Sequence, residues 1–257
     1  MNNQLFRFIK SSPLSYVLSL FILLVLIEIL CHLFNLPLYI LPPPTIVIPY
    51  LLKNLAAFSK DLVFTFREIF IGFIVGWGVA FILATGAIFF PLLRSFVRPV
   101  IVLSQTIPVL AIAPLLILWF GYGILSKIAT SALLVLFPVF VGVTDGFLSV
   151  PPRFLDFMKA SRATRLQIFW LIQLPQAVPN IITATKIGIT LAVIGAIIGE
   201  FITAEHGIGL IIRQSVTQMN TILTFSMLYI LGLSGVILYS FLDILELILQ
   251  KKYQKIE

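Results

Sequence analysis

The sequence predicts an all-α integral membrane protein with about six transmembrane helices. Hydrophobic residues make up 60 % of the 257 positions and charged residues 11 %, whereas soluble domains carry about 25 % charged residues. The mean hydropathy is +1.12. Because a helix needs about 20 apolar residues to cross a bilayer, we interpret each long apolar run as one span. Such spans leave room for loops but for no soluble domain.

The spans follow from the apolar runs in chain order. The first run is longer than the apolar region of about 7–15 residues found in signal peptides, so it is interpreted as a membrane helix. Pro108 and Pro114 fall in the third run, where the carbonyls that they free predict kinks packed inside the bundle. The predicted spans are 14–34, 66–90, 100–120, 128–147, 180–201 and 222–249.

Proline and glycine shape the connections. Residues 36–50 hold too many prolines for a helix, so we expect an extended turn there, followed by an amphipathic segment through Asp61. A tight loop is predicted for 121–127 and a mixed loop for 203–220. Gly72, Gly76 and Gly78 in the second span predict close contacts between helices.

No linker divides the chain, and a single transmembrane domain over residues 1–257 is therefore expected. Its parts are an N-terminal segment with the first span over 1–35, core spans over 60–250 and a polar loop over 151–179.

Several function classes are excluded by composition. Cys31 is the one cysteine, so neither an intrachain disulfide nor a cysteine-based metal site can form. His32 and His206 lie far apart without spaced partners, so no metal site is expected. The net charge of +7 does not gather on a soluble face, which argues against nucleic-acid binding. No G-x-x-x-x-G-K-[ST] phosphate loop is present, so this chain is not an ATP-binding subunit.

Loop charge predicts the orientation. With the N-terminus inside, most lysines and arginines fall in inner loops, and the positive-inside rule places both termini and residues 151–179 in the cytoplasm. The inner set is Arg7, Lys10, Arg94, Arg98, Arg153, Lys159, Arg162, Arg165, Lys251, Lys252 and Lys255, and the outer set is Lys53, Lys60, Lys127 and Arg213.

Residues 151–179, PPRFLDFMKASRATRLQIFWLIQLPQAVP, are the longest polar interruption in the C-terminal two-thirds of the chain. Four basic side chains stand there against one acid, Asp156. Apolar residues at helical spacing over 153–172 predict a short amphipathic helix pair. Such a pair fits either a segment lying in the membrane interface or a docking element for a cytosolic partner, and periodicity leaves both open.

This interval resembles the cytoplasmic EAA loop of permeases from binding-protein-dependent ABC importers. That loop carries an acid, two alanines, a glycine three residues on and a terminal I-x-L-P. The matching positions are Asp156 for the glutamate, Ala163, Thr164, Arg165, Gln167 and Phe169 in the middle, and Ile172, Leu174 and Pro175 at the end.

The interval also departs from the EAA pattern. Phe157 and Met158 replace the alanines, and Arg162 replaces the glycine. Because arginine resists a positive φ angle, we expect the turn at Arg162 to differ from the usual one.

Further stretches resemble the nitrate/sulfonate/taurine branch of these permeases. They are LPPPTIV near residue 41, AIAPLLILWFGYGILSK, FPVFVGVTDGFLSVPP and GEFITAEHGIGLII. Their order and spacing cover most of the chain from about residue 40 onward. The resemblance implies a type I importer permease in the bacterial inner membrane, which moves a small anion or small organic solute by alternating access.

The resemblance also implies partners and site residues. Two permease copies would pair with two cytosolic ATPase subunits, which hold ATP and Mg, and would receive solute from an extracytoplasmic binding protein. This chain would itself bind no cofactor. The residues implied in coupling to the ATPase are Asp156, Lys159, Ala160, Ser161, Arg162, Ala163, Thr164, Arg165, Leu174 and Pro175.

The fifth span would face the dimer axis by the same resemblance. Thr183, Thr185, Lys186 and Thr190 are then candidates for lining the translocation path. Lys186 could reach the membrane interface by snorkelling, which we favour, or could offer a positive charge to an anionic solute.

Two other classes stay open from the sequence. An ion-driven secondary transporter would place paired ionisable groups near the midplane, but here most of these groups fall toward span ends. An intramembrane enzyme would need converging catalytic groups, which the sequence does not present. The ionisable residues in or beside spans are Glu28, Arg67, Glu68, Lys186, Glu200, Asp243 and Glu246.

Overall fold

The computed structural model describes residues 13–203 and 205–253, and helices account for nearly all of them. Residues 1–12 and 254–257 lie outside this range, and so do the predictions made for Arg7, Lys10 and Lys255. In chain order the helices are α1 (Pro13–Leu33), α2 (Pro44–Phe89), α3 (Pro91–Thr106), α4 (Val109–Phe120), α5 (Ile124–Leu148), α6 (Pro152–Ala160), α7 (Arg165–Ile168), α8 (Leu174–Thr203), α9 (Ile208–Thr217) and α10 (Thr221–Tyr253), with a π-helical turn at Phe169–Gln173 before α8.

The all-α membrane fold is confirmed. Within the described residues, five helices are long and apolar enough to cross a membrane. They are Ser15–Leu33, Pro44–Phe89, Ile124–Leu148, Arg165–Ile202 and Thr221–Glu246. Helix α4 is apolar but shorter, and this accounts for the difference from the about six spans expected at about 20 residues each.

The prediction of a single third span over 100–120, kinked at its two prolines, is wrong because the helix is broken into two. Helix α3 ends at Thr106, Ile107 is extended with φ −91° and ψ 119°, and α4 begins at Val109. Pro108 causes the break, because it lacks an amide donor and forces the preceding residue out of the helical region. Pro114 is accommodated inside α4. The 12 residues of α4 rise about 18 Å, less than the bilayer core of about 30 Å.

Three predicted connections also differ. Helix α2 begins at Pro44 and runs unbroken for 46 residues, which merges the predicted amphipathic segment with the second span. Proline is well tolerated at a first helical position, where its missing amide would have no partner. The predicted loop 121–127 is shorter, since α5 begins at Ile124, and the predicted mixed loop 203–220 contains α9.

The described chain falls into two compact units, and the first holds the residues up to Phe66 and from Thr203 onward. In it, α1 and α9 both pack against α10. The hydroxyl of Tyr16 donates a hydrogen bond to Asp243, and its ring meets Tyr239 edge-on. These contacts anchor α1, most of whose side chains are otherwise exposed.

Polar side chains of this unit hold helix ends. Glu28 accepts hydrogen bonds from the backbone N (3.1 Å) and Oγ1 (2.8 Å) of Thr45 at the start of α2. Asp61 accepts from the backbone N of Gly207 at 2.8 Å, and Thr65 from that of Ile208 at 2.9 Å. These bonds satisfy amides that a helix start leaves without partners, so Glu28 has a structural role.

The second unit, Arg67–Ile202, is closely packed around α5. A Cβ atom added at Gly72 would lie 2.4 Å from Ser131 Cβ, and one added at Gly195 would lie 2.5 Å from Ser131 Cα. Ser131 Oγ also donates to the carbonyl of Ala192 at 3.0 Å. Residues without a side chain are therefore required on both sides of α5. The predicted close contact at Gly78 is wrong, since nothing lies within 4 Å of a Cβ added there.

Candidate coupling segment and translocation path

The predicted amphipathic helix pair is present as α6 and α7, and we call residues 152–173 the coupling segment. Helix α6 has no buried residue. Phe157 is 68 % exposed, and Leu166, Trp170 and Leu171 are also exposed. Basic residues and large apolar side chains thus share one surface. A surface of this kind suits either a partner protein or a membrane interface.

The turn between the two helices is closed by Arg162. Its φ is 58°, in the left-handed region that glycine adopts most easily. The backbone N of Arg162 donates to the carbonyl of Lys159 at 2.9 Å, and that of Ala163 to the carbonyl of Met158 at 3.0 Å. This pair of bonds is a Schellman motif, in which glycine usually takes the place of Arg162. The turn at Arg162, which we expected to differ from the usual one, therefore keeps the positive φ that glycine would adopt there.

Helix α7 starts with a reciprocal cap. The backbone N of Gln167 donates to Thr164 Oγ1 at 3.3 Å, and the backbone N of Thr164 donates to Gln167 Oε1 at 2.8 Å. This capping box satisfies two helix-start amides at once. Thr164 thereby fixes the direction in which the chain leaves the turn.

Phe169 anchors the coupling segment to the second unit. It is 4 % exposed, and its ring centroid lies 5.3 Å from that of Phe89 and 5.2 Å from that of Phe147. Phe169 opens the π-helical turn, after which the chain continues directly into α8. Such turns are frequent at functional sites. A displacement of the coupling segment would therefore be carried into α8 by packing and by chain continuity.

The residues implied in coupling fall into an exposed and a half-buried group. Leu174 and Pro175 are half-buried at the start of α8, as is Ala163 in the turn. The exposed residues are Asp156, Lys159, Ala160, Ser161, Arg162, Thr164 and Arg165. The exposed group is the part available to a partner.

The candidates for the translocation path lie on different faces of α8. Thr183, Ile187, Thr190 and Ile194 are exposed and recur at helical spacing, so they form one stripe. We call these four residues the α8 stripe. Lys186 is buried, with 7 % exposure. Within this chain, its burial argues against the snorkelling that we favoured and also keeps it off the stripe.

Thr185 lies between these two groups and has a partner of its own. Trp77 Nε1 donates to Thr185 Oγ1 at 2.9 Å, and Trp77 stacks on Phe81 at 5.1 Å between ring centroids. Phe81 in turn meets Phe147 edge-on at 6.2 Å. Aromatic contacts therefore continue from Phe169 of the coupling segment to the middle of α8.

Sequence reasoning missed a buried ionic cluster in the second unit. Lys127 Nζ lies 3.2 Å from Glu68 Oε1, and their side chains are 9 % and 1 % exposed. Glu200 is fully buried and interacts with Glu68. A Cβ at Gly199 would lie 3.0 Å from Lys127 Cα. The available signal was the occurrence of acids within apolar helices, since such residues need a partner.

No metal centre is found among the residues that the structure describes, where no group of three His, Cys, Asp or Glu side chains could hold an ion.

The prediction that Lys127 lies in an outer loop is wrong, because this residue lies inside α5. The arrangement as a whole offers an exposed segment, a rigid connection and a membrane-embedded helix with a mixed hydroxyl and apolar stripe.

Comparison with protein families gives one match over most of the chain. The model of the family described as binding-protein-dependent transport system inner membrane component matches residues 72–255. Among solved structures, a chain of the MetNI methionine ABC transporter in inward-facing conformations is similar, with a TM-score of 0.50 and 23 % identity over 72 % of this chain and 93 % of that chain. This likeness supports the type I importer permease fold.

Several curated proteins are similar in sequence. A probable ABC transporter permease protein of Haemophilus influenzae is 33 % identical over 86 % of this chain and 91 % of the relative. The formylaminopyrimidine transport permease protein ThiX of Halalkalibacterium halodurans is 34 % identical over 88 % and 91 %. The taurine transport system permease protein TauC of Escherichia coli K12 is 32 % identical over 49 % and 46 %.

Proposed function

Because the chain belongs to the family of binding-protein-dependent transport system inner membrane components, in the nitrate/sulfonate/taurine-type branch, we propose that it is the transmembrane permease subunit of an ABC importer. It forms the translocation pathway and couples solute movement to ATP hydrolysis by a separate cytosolic subunit. In this role the chain is not itself an enzyme and binds no cofactor; ATP and Mg are held by the ATPase.

The observation that carries this proposal is the coupling segment. Its helices are exposed, its turn is fixed by the hydrogen bonds around Arg162, and Phe169 packs it against Phe89 and Phe147. An exposed element with rigid attachment suits the transmission of a partner's movement, since packed cores respond as discrete units. ATPase closure would then shift α8 as part of alternating access.

The partners and the placement in the cell follow from the same proposal. Two copies of the permease assemble with two ATPase subunits and receive solute from an extracytoplasmic binding protein. The protein crosses the bacterial inner membrane several times as a single domain, with both termini and the coupling segment in the cytoplasm. The excess of lysine and arginine in the inner loops supports this orientation.

The α8 stripe is proposed to line the path. It includes two of the predicted residues, Thr183 and Thr190, whose hydroxyls already donate to the carbonyls of Pro179 and Lys186 at 3.0 Å. Lys186 would contribute only after a rearrangement that exposes it. The solute is a small anion or a small organic solute, in keeping with the names of the taurine and formylaminopyrimidine relatives.

Reconstitution with the ATPase and the binding protein tests the proposal. ATP-driven uptake into proteoliposomes is expected for the native chain. Asp156→Arg, or a bulky polar residue at Ala160, should abolish the stimulation of ATP hydrolysis by solute while the chain still inserts. Ser59→Arg, at an exposed position of α2, is the matched control. Full ATPase stimulation and full uptake in the Asp156→Arg protein would contradict the docking role.

An ion-driven secondary transporter is the second candidate. One observation favours it, namely the buried cluster of Glu68, Lys127 and Glu200, because buried ionisable groups mark ion and proton pathways in many carriers. Uptake by the purified chain alone under a proton or sodium gradient would support this candidate. Uptake that requires the ATPase and ATP would support the importer.

A further inference from the structure

A cavity in the second unit lies beside the break between α3 and α4. It measures about 260 Å³ and is lined by Ile107, Pro108 and Val109 at the break, by Leu133, Leu134, Phe137 and Pro138 of α5, and by Leu191 of α8. Ile107 is 50 % exposed, so the cavity is open on that side. Leu191 directly follows Thr190 of the α8 stripe.

The position of the break is itself informative. Non-helical backbone at membrane depth is tolerated only where it is buried in protein or lines a cavity. Proline-interrupted apolar helices are also a pointer to solute sites in membrane transporters. Here Pro108 interrupts one wall, and Pro138 lies within the helix that forms the opposite wall. The broken backbone itself therefore supplies three of the eight residues that line the cavity.

The lining determines which solutes the cavity can accept. Its eight side chains carry neither a charge nor a hydrogen-bonding group. An anion that entered would give up part of its hydration and find no side-chain donor in exchange, which is unfavourable. Lys186 precedes Leu191 by five positions, or about 7.5 Å of helix rise, and it is buried. The cavity therefore favours an uncharged solute with an apolar face.

Size narrows the class further. The volume of about 260 Å³ is slightly below the range of about 300–1,000 Å³ found for pockets that hold drug-sized ligands. A single substituted ring fits such a volume. Phe137, the one aromatic residue of the lining, is buried and adds apolar wall without a polar side-chain atom.

We propose that this cavity is a binding site for an uncharged single-ring organic solute within the permease, and that it selects such solutes over small anions. The inference rests on the proposed permease function and chooses between the two solute classes left open there. Specificity would then reside partly in this chain and not only in the binding protein.

Equilibrium binding to the full-length permease with its ATPase in lipid nanodiscs tests the site, with the binding protein omitted. The probe is a radiolabelled neutral aminopyrimidine, and ethanesulfonate, a small organic anion, is the competitor. We expect saturable binding that excess ethanesulfonate does not displace. Leu191→Trp and Ile107→Trp should each weaken it by about tenfold or more, because they fill the cavity. Leu191→Ile should retain it. Ile82→Trp, at a position 71 % exposed on α2, is the matched control.

Ile107→Trp alters an exposed rim position, so it keeps the test valid if Leu191→Trp fails to fold. The proposal is overturned if the probe does not bind, if ethanesulfonate displaces it, or if Ile82→Trp weakens binding as much as the cavity variants do. Complete displacement by dodecanoic acid would identify a lipid site instead. A change in permease copy number in the Trp variants would identify a seat for a second chain. ATP-driven uptake and ATPase co-purification, measured in parallel, report on the permease function separately.

Discussion

Two ion pairs of nearly equal length lie in very different surroundings in the second unit. Lys159 Nζ is 3.3 Å from Asp156 Oδ1 in the coupling segment, and Lys127 Nζ is 3.2 Å from Glu68 Oε1 between α5 and α2. The first pair is 67 % and 72 % exposed, and the second 9 % and 1 %. Exposed pairs are worth little because water screens them, whereas removing one member of a buried pair leaves an uncompensated charge.

This difference separates the roles of the two regions. The coupling segment keeps its charges in water, where they can be exchanged for contacts with a partner at low cost. The buried pair holds two helices at a place where Gly199 allows Lys127 to approach α8 closely. One region is arranged for association and the other for a fixed internal geometry.

The largest effect is expected for Lys127→Met. It leaves the carboxylate of Glu68 buried without its cation, which should lower the free energy of unfolding by about 3–5 kcal/mol. Thermal unfolding in detergent, monitored by size-exclusion chromatography, measures this loss of stability. The double variant Lys127→Met with Glu68→Gln should recover part of the loss. Equal stability of Lys127→Met and the native chain would show that the pair has no structural role.

The next largest effect on stability is expected at the glycine that contacts α5. Gly72→Ala places a methyl group 2.4 Å from Ser131 Cβ, and overpacking of this kind costs about 1–3 kcal/mol. Gly78→Ala is the matched control in the same helix. It meets no atom within 4 Å, and alanine is about 1 kcal/mol better than glycine in a helix interior. In the same thermal assay, the unfolding temperatures of the two variants should therefore shift in opposite directions. Two equal shifts would refute the packing argument.

Arg162→Gly tests the turn of the coupling segment. Glycine accepts the φ of 58° without the steric cost of a side chain, so stability should rise by at most about 1 kcal/mol. Lys159→Gly, inside α6, should instead lower stability by about 0.5–1 kcal/mol. A loss of stability in Arg162→Gly would mean that the arginine side chain itself supports the turn.

The smallest effect belongs to Lys159→Met. Because its pair with Asp156 is exposed, the free energy of unfolding should change by less than about 1 kcal/mol. Lys159→Met and Lys127→Met each remove one positive charge from an ion pair of nearly the same length. A destabilisation equal to that of Lys127→Met would remove the distinction between the two regions.

The sequence predicted some of these features for physical reasons. Composition suffices for an all-α membrane protein, because the bilayer allows few other structures. Local spacing suffices for α6 and α7, but we expected an altered turn at Arg162, whereas the structure keeps the positive φ there. The local sequence does not reveal that Glu68 is the partner of Lys127, because the two residues lie far apart in the chain. Pro108 predicted a kink but not the complete break at Ile107, because an apolar run looks the same whether or not its helix is continuous.

The same limit applies to the translocation path. The resemblance implies Thr183, Lys186 and Thr190 together, since all three lie in the fifth predicted span. Only the packing of α8 separates the exposed threonines from the buried lysine. The face that each residue occupies depends on neighbouring helices, and a single sequence does not encode this in its periodicity when the helix is apolar all round.

Cross-linking from the coupling segment tests the docking claim most directly. A cysteine is introduced at Phe157, which is 68 % exposed, in a Cys31→Ser background, and the permease is treated with a short bis-maleimide in the presence of its ATPase. We predict a permease–ATPase adduct whose yield changes on ATP binding, and none from Ser59→Cys in the same background. Absence of the adduct from Phe157→Cys in an assembled complex, or an equal yield from Ser59→Cys, would contradict the account.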